Sequence, residues 1–276
     1  RVLMVFDHKK EVCHAYGCNE YIDTLLNAFK LFETCDPSFF CDVETIDSNM
    51  TKATYLQKVK AIQAGITRGD LYQANLTRKF HITLKKKIDS FAVFRRLCEV
   101  SPAPYSSFMK LGATYCLSSS PEQFLSMDAQ GRVLSRPIKG SAPRFSDLDE
   151  DVRSLNLLKT SQKDQSENLM IVDLVRHDFS RGSKVGSVDV NGLFETYSFK
   201  TIHHMMSTVF GRRCETVSPL TFVKNAFPPG SMTGTPKLKA MTVCSDLEQY
   251  QRGIYSGAIG FFGGDGSVDL SVVIRR

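Results

Sequence analysis

Four strand-length segments, 106–110, 113–117, 122–127 and 133–138, follow one another almost without a break. Gaps this short leave no room for crossover helices, so the neighbouring strands must run antiparallel. The chain closes in the same style. Residues 254–262 and 268–276 read as two strands joined by the turn Gly263-Gly264-Asp265-Gly266, a glycine-punctuated hairpin. Further strands are expected over 2–6, 71–80, 188–194 and 202–210.

Helical spacing accounts for most of the remainder. Tyr55, Val59, Ile62 and Ile66 recur at steps of four, three and four, and Gly69 supplies a stop, which predicts a helix over 52–69. Other helices are expected over 21–32, 88–100, 147–158, 217–225 and 236–250, and 166–177 is strongly apolar. Residues 35–50 read as a connection. No repeat and no Pro- or Ser-rich linker divides the chain. The expected class is α+β: large antiparallel sheets packed as a sandwich, with helices outside, in one continuous structural domain.

Composition narrows the function classes. With 276 residues, 42% hydrophobic and 23% charged, the chain is ordinary globular material and not a disordered or fibrous one. No apolar run reaches the ~18–20 residues of a membrane helix, so no membrane partner is expected; no signal peptide is visible in a sequence that opens with Arg1 rather than Met. The net charge of +6 is dispersed apart from Lys85-Lys86-Lys87, and tryptophan is absent, which argues against a nucleic-acid module. None of the eight cysteines forms a CxxC pair. They read as reduced, mostly buried thiols of a cytoplasmic protein. His8, Cys13, His14 and Cys18 match no zinc template.

Four segments carry more chemistry than a scaffold needs. In Arg136-Pro137-Ile138-Lys139-Gly140-Ser141, a lysine sits between an apolar residue and a glycine, where desolvation would favour the neutral, nucleophilic amine. Glu122 opens an apolar strand and is a candidate general acid or base. Asp164 and Glu167, three apart on a helix, would face the same way and suit a hard cation. In Gly230-Ser231-Met232-Thr233-Gly234-Thr235-Pro236, Thr235 is a candidate N-cap with Pro236 at the first helical position, a place where free N–H groups hold anions. Gln73 and Asn75 share one face of their segment, and buried amides there suggest the lining of a site. Each segment alone is commonly an exposed turn, strand edge or cap.

Taken in order, these segments resemble the chorismate-utilising enzymes. The elements are GDLYQANL (69–76), SPEQF (120–124), RPIKGSAPR (136–144), ENLMIVDLVRHD (167–178), HHMMSTVFG (203–211), FPPGSMTGTPKLKAM (227–241), RGIYSGAIGFF (252–262) and VVIRR (272–276). The resemblance implies residues 1–50 as a remnant of a β-rich region and 51–276 as the chorismate-binding domain. Lys139, where anthranilate and isochorismate synthases usually carry Ala, points to the aminodeoxychorismate synthase component I branch. Gln73, where the water-adding members place a lysine, points the same way.

The implied activity is transaminase-type. Chorismate and ammonia from a glutaminase partner subunit give 4-amino-4-deoxychorismate for para-aminobenzoate and folate synthesis. Lys139 would attack ring C2, Glu122 would serve as acid and base, and His204 would stand near the leaving hydroxyl. Gln73, Gly140, Ser141, Gly230, Ser231, Tyr255 and Arg275 would bind substrate. Mg²⁺ would sit on Glu167 with Asp164 nearby. The family continues beyond the final strand into a segment with further metal-binding Glu, which is not in this sequence. The alternatives are therefore an anthranilate synthase component I and a non-catalytic chorismate-binding remnant.

Overall fold

The structure, a computed structural model, describes residues 2–30 and 42–275. They fall into two compact units, Arg1–Phe40 and Cys41–Arg276. In the first, β1 (Val2–Asp7) and β2 (Val12–Gly17) form an antiparallel hairpin, followed by α1 (Asn19–Lys30). The end of the helix expected over 21–32 lies outside the described residues.

The second unit opens with β3 (Val43–Ser48), where the sequence suggested only a connection. Its Val43, Thr45 and Asp47 alternate with Glu44, Ile46 and Ser48, and it pairs with β5 (Phe80–Leu84). Between them runs α2 (Lys52–Thr67), N-capped by the Thr51 side chain. Gly69 ends the helix as expected, in the left-handed region at φ 82°.

The strand expected over 71–80 is not continuous. β4 (Gln73–Ala74) pairs with β13 (Gly234–Thr235), and Phe80 already belongs to β5. Between them the Asn75 N–H still meets the Thr233 carbonyl, and side chains then replace the ladder. Arg252 and Cys244 take the Asn75 carbonyl, and the Glu248 carboxylate takes the Thr77 N–H. The face assignment holds in part, with Leu71 and Thr77 buried and Tyr72 exposed.

The helix α3 (Ser90–Val100) precedes the ribbon of β6 (Tyr105–Leu111) and β7 (Thr114–Ser120). Then come β8 (Gln123–Met127), β9 (Arg132–Ser135), β10 (Ile138–Pro143), α4 (Leu148–Thr160) and α5 (Gln162–Ser180). The strands β11 (Asp189–Ser198) and β12 (Ile202–Arg212) lead to α6 (Pro219–Ala226), a single 3₁₀ turn at Gly230–Met232 and α7 (Lys237–Glu248). The closing hairpin is β14 (Ala258–Phe262) and β15 (Val268–Val272).

Seven of these strands make one antiparallel sheet in the order β10-β12-β9-β8-β15-β14, with β11 also paired to β12. With the helices packed against it, the architecture is α+β. The core lies where the sheet meets α5 and α6: Phe124, Leu125, Val133, Val209 and Leu270 from the strands meet Ile171, Val175, Phe179 and Phe222. Burial of this many apolar side chains, at roughly 1.5–3 kcal/mol each, drives the assembly.

Two expectations need correction. The six cysteines among the described residues are free, but only Cys116 and Cys244 are buried; Cys13 and Cys18 lie on the exposed first unit. The N-cap of α7 is Pro236, without a side-chain cap, while Thr235 belongs to β13.

Candidate active site

Lys139 lies on β10, an edge strand of the seven-stranded sheet. Its half-buried side chain reaches across to the 3₁₀ turn, where Nζ stands 3.5 Å from the Ser231 carbonyl oxygen. Glu122 comes from the turn between β7 and β8. Its own N–H meets Ser120 Oγ, and its carbonyl accepts from Val272 N–H. These anchors fix a carboxylate that is 6% exposed. Burial pushes its pKa up to about 7, against the opposing pull of Ser231, Lys139, the Ile138 N–H and Arg275. A carboxyl group poised there can give and take a proton near neutrality.

A small cavity of about 20 Å³ lies between Glu122, Ser135, Asp178 and Ser231 on one side and Phe124, Val175 and Phe179 on the other, room for about one water molecule. A Cβ on Gly230 would stand 2.8 Å from the Leu174 Cδ2 methyl, so a larger residue there would have to push that side chain aside. At Gly140 a Cβ would stand 2.9 Å from that of Asp164, and φ is +90°. This glycine answers both a tight approach and a left-handed backbone.

His204 on β12 stands opposite Ser141 of β10 and is 4% exposed. Neither ring nitrogen completes a hydrogen bond. Burial and the Arg275 charge bring its pKa down to about 4, with the Gly140 carbonyl pulling weakly the other way. The imidazole is therefore neutral at physiological pH. Phe199 packs edge-on against it, with 5.6 Å between ring centroids.

Other buried polar atoms lack partners too. Ser231 Oγ lies within electrostatic reach of Glu122 but completes no well-directed hydrogen bond. Gln73 Oε1 and Thr235 Oγ1, on facing residues of β4 and β13, are likewise unpaired. Buried polar atoms are nearly always satisfied. Ser107 Oγ, Gln123 Oε1, Ser183 Oγ and Arg213 Nε are unpaired as well, so the exceptions include the expected site residues Gln73, His204 and Ser231 without being confined to them.

Asp164 and Glu167 share the first turns of α5. Asp164 has a structural task, because its N–H donates to Ser161 Oγ and its carboxylate accepts from the same hydroxyl at 2.5 Å. Glu167 Oε1 pairs loosely with Lys163 at 3.8 Å. Among the described residues no group of three or more His, Cys, Asp or Glu is arranged to hold a metal ion.

Tyr255 and Arg275 lie at the open end of the closing hairpin, just outside β14 and β15. The Ser256 N–H to Val273 carbonyl bond carries the pairing that far. Tyr255 packs against the core and borders a separate cavity of about 360 Å³ with Thr233, Arg252 and Ser256. The exposed Arg275 is tied by its carbonyl to the Ser119 N–H, and its charge acts on both Glu122 and His204. The structure thus gathers Lys139, Glu122, Ser231, Gly230, Arg275, His204 and Gly140 with Ser141 alongside, while Gln73 lies on β4 opposite Thr235 and Tyr255 borders the separate cavity.

Sequence reasoning missed the braces of the site. Arg252 donates to both Glu248 oxygens, at 2.9 and 2.6 Å, to the Met232 and Asn75 carbonyls, both at 2.7 Å, and to Ser256 Oγ at 3.2 Å. It also missed Asn168, which is wholly buried behind Lys139. Arg252 opened the RGIYSGAIGFF element, yet no spacing rule links it to Asn75. Asn168 sits inside an apolar helix, where a lone amide with no visible partner was the available signal.

This geometry agrees with the comparisons. A family model described as chorismate binding enzyme matches residues 2–276. The chain belongs to that family. It is 42% identical over 243 residues to an aminodeoxychorismate synthase of Streptomyces griseus, covering 88% of this chain and 33% of that protein. It is 40% identical over 228 residues to aminodeoxychorismate synthase component 1 of Escherichia coli strain K12, covering 83% and 50%. Among solved structures, anthranilate synthase component I of Streptococcus pneumoniae TIGR4 superposes with a TM-score of 0.85 at 27% identity, over 99% of this chain and 62% of that one. The chain therefore spans a third to a half of the length of these curated relatives.

Proposed function

We propose that this chorismate-family chain forms 4-amino-4-deoxychorismate from chorismate and ammonia through a lysine-linked intermediate. The observation that carries the reading is Lys139 beside a buried Glu122 whose pKa is raised to about 7. An amine nucleophile next to a carboxyl group that titrates near neutrality is the pair such a substitution needs.

In the first step the neutral Lys139 amine forms a bond to ring C2. The ring double bond shifts, and the C4 hydroxyl departs as water with a proton from Glu122. In the second, ammonia bonds to C4, the double bond shifts back, and the C2–N bond breaks. The Glu122 carboxylate takes the proton lost by the incoming nitrogen, and Lys139, bound as a secondary ammonium that kept both its protons, leaves as the neutral amine. The sum is chorismate plus ammonia giving the amino product plus water. Neutral His204 offers an N–H or a lone pair beside Ser141, and Arg275 with Tyr255 provides charge and a phenol for substrate carboxylates. Gln73 Oε1, Thr235 Oγ1 and Ser231 Oγ provide the unpaired polar rim.

The donor set suits Mg²⁺, which takes one or two protein carboxylates and fills its remaining sites with water and substrate oxygens. Glu167 and Asp164 would hold it, Asp164 against Gly140. When bound, it would neutralise carboxylate charge on the substrate. The ammonia source is a glutaminase partner, a reading supported by relatives named component 1. Among the described residues no helix is long and apolar enough to cross a membrane, and a cytoplasmic setting fits such metabolism.

The test is incubation with chorismate, Mg²⁺ and an ammonium salt, followed by mass analysis of small molecules and intact protein. Aminodeoxychorismate, or an adduct mapped to Lys139 and absent from Lys139→Ala, is expected. Anthranilate would place the chain in the other branch. The absence of both turnover and adduct would overturn the reading.

A further inference from the structure

The strands β10 and β12 pair at Ile138 opposite Met206 and again at Ser141 opposite His204. Between those pairs β10 has two residues, Lys139 and Gly140, and β12 has one, Met205. This is a β-bulge, a device that re-aims a side chain and leaves backbone groups outside the ladder. Gly140 supplies the φ of +90° that the kink requires.

The carbonyls at the break are met from α5. Asn168, with no exposed surface, donates through Nδ2 to the Lys139 carbonyl at 3.4 Å and to the Met205 carbonyl at 3.5 Å. Its Oδ1 accepts from Ser207 Oγ at 2.5 Å, and that hydroxyl accepts from the Phe194 N–H at 3.0 Å. The amide has one workable orientation, because a flipped one would turn its oxygen onto two carbonyl oxygens. Asp164, one turn earlier on the same face of α5, presses on Gly140. The helix thus grips both residues of the bulge.

We propose that Asn168 is a positioning residue that holds the Lys139–Gly140 bulge and thereby aims the Lys139 amine at Ser231 and Glu122. The inference rests on the proposed function for its catalytic consequence, but not for its structural one. Asn168 touches no substrate. It acts through the Lys139 backbone, with Ser207 fixing its amide. Removing it would free two buried carbonyls and let the bulge relax, and misplacement of a reacting group by about 1 Å can lower turnover by about a hundredfold.

The experiment has two readouts on Asn168→Ala, and on Ser207→Ala in case the first variant does not fold. The first needs no turnover: trace acetylation of lysines across pH, with peptide mass mapping. The rate profile of Lys139 is expected to shift, with those of the other lysines unchanged and more weakly in Ser207→Ala. The second is steady-state kinetics with chorismate, Mg²⁺ and ammonium, where kcat should fall by about tenfold to a hundredfold with little change in KM. An unaltered Lys139 profile in a folded variant overturns the inference, whether or not the chain turns over. So does a shifted profile with unaltered kcat. A wild-type chain without turnover but with a shifted profile in the variants instead removes the proposed function and leaves the positioning intact.

Discussion

His203 and His204 are neighbours on β12, both buried, and they live in opposite worlds. His203 is 1% exposed and fully occupied. Its Nδ1 shares a 2.7 Å hydrogen bond with Ser198 Oγ, and its Nε2 lies 3.1 Å from Asp151 Oδ1. Asp151 in turn takes the Arg144 guanidinium at 2.8 and 3.0 Å and the Phe145 N–H at 2.9 Å. Those contacts, chiefly Arg144, hold its pKa down to about 2. On the other side of the strand, His204 has two ring nitrogens without partners. A Ser–His–Asp grouping would attract notice by its residue types, yet here each member is used up in tying α4 and β11 to β12. Under the proposed function the unpaired histidine is the one that serves the substrate, and the state of its hydrogen bonds, rather than its residue type, sets it apart from His203.

The contrast predicts that substitutions on the unpaired side lower activity and spare stability, and that substitutions on the paired side do the reverse. The largest effect is expected for Glu122→Gln. It should lower kcat by about 10²–10⁴-fold and remove the limb of the pH–rate profile near 7, while Tm at pH 8 stays the same or rises. A collapse of Tm would show that Glu122 is structural. Gly140→Ala comes next. Its strained φ and the Asp164 contact should destabilise the fold by about 1–3 kcal/mol, measured by urea unfolding, and turnover should fall with it. His203→Ala should unfold more easily, by about 1–3 kcal/mol, with the turnover of the folded fraction unaltered. Loss of activity without loss of stability would erase the distinction between the two sides.

The smallest effect is on the pH dependence of stability. The folded Glu122 holds its proton to about pH 7, whereas the unfolded side chain releases it near 4.5. Its contribution to stability is therefore complete below about pH 4.5 and declines as pH rises through 7. His204 works in the opposite sense. Unfolded, it binds a proton below about 6.5; folded, only below about 4. Stability from this group is complete above pH 6.5 and lost as pH falls toward 4. Between pH 4.5 and 6.5 the two slopes oppose each other. Glu122→Gln should therefore gain Tm with rising pH across that window, and His204→Phe should lose it. Parallel Tm curves for the two variants would contradict both assignments.

Much of this was legible in the sequence. The antiparallel sheet followed from closely spaced strand segments, and α2, α3, α4 and α6 from spacing and caps. Lys139, Glu122 and Ser231 stood out by motif, and they do converge. What stayed hidden depends on distant partners. Nothing local reveals that Val43–Ser48 has β5 to pair with, that Asn75 and Thr77 bond to side chains rather than a strand, or that Lys139 sits in a bulge. A bulge is a mismatch between two strands, so neither strand shows it alone. The paired and unpaired histidines are likewise indistinguishable in the run HHMMSTVFG, because the difference lies in Ser198 and Asp151.

The brace at Arg252 has a consequence in time. Its guanidinium closes on the Asn75 carbonyl across 177 residues of chain, and Glu248 reaches Thr77 across 171. On a ribosome, which emits the chain from the amino end, the β4 segment emerges early and stays without its wall until α7 and Arg252 have followed. Local pairing can begin in the β6–β7 ribbon and the β8–β9 hairpin, where partners are neighbours in sequence. The β4–β13 wall is thus completed only after α7 and Arg252 have emerged, well after the β6–β9 strands have found their neighbours.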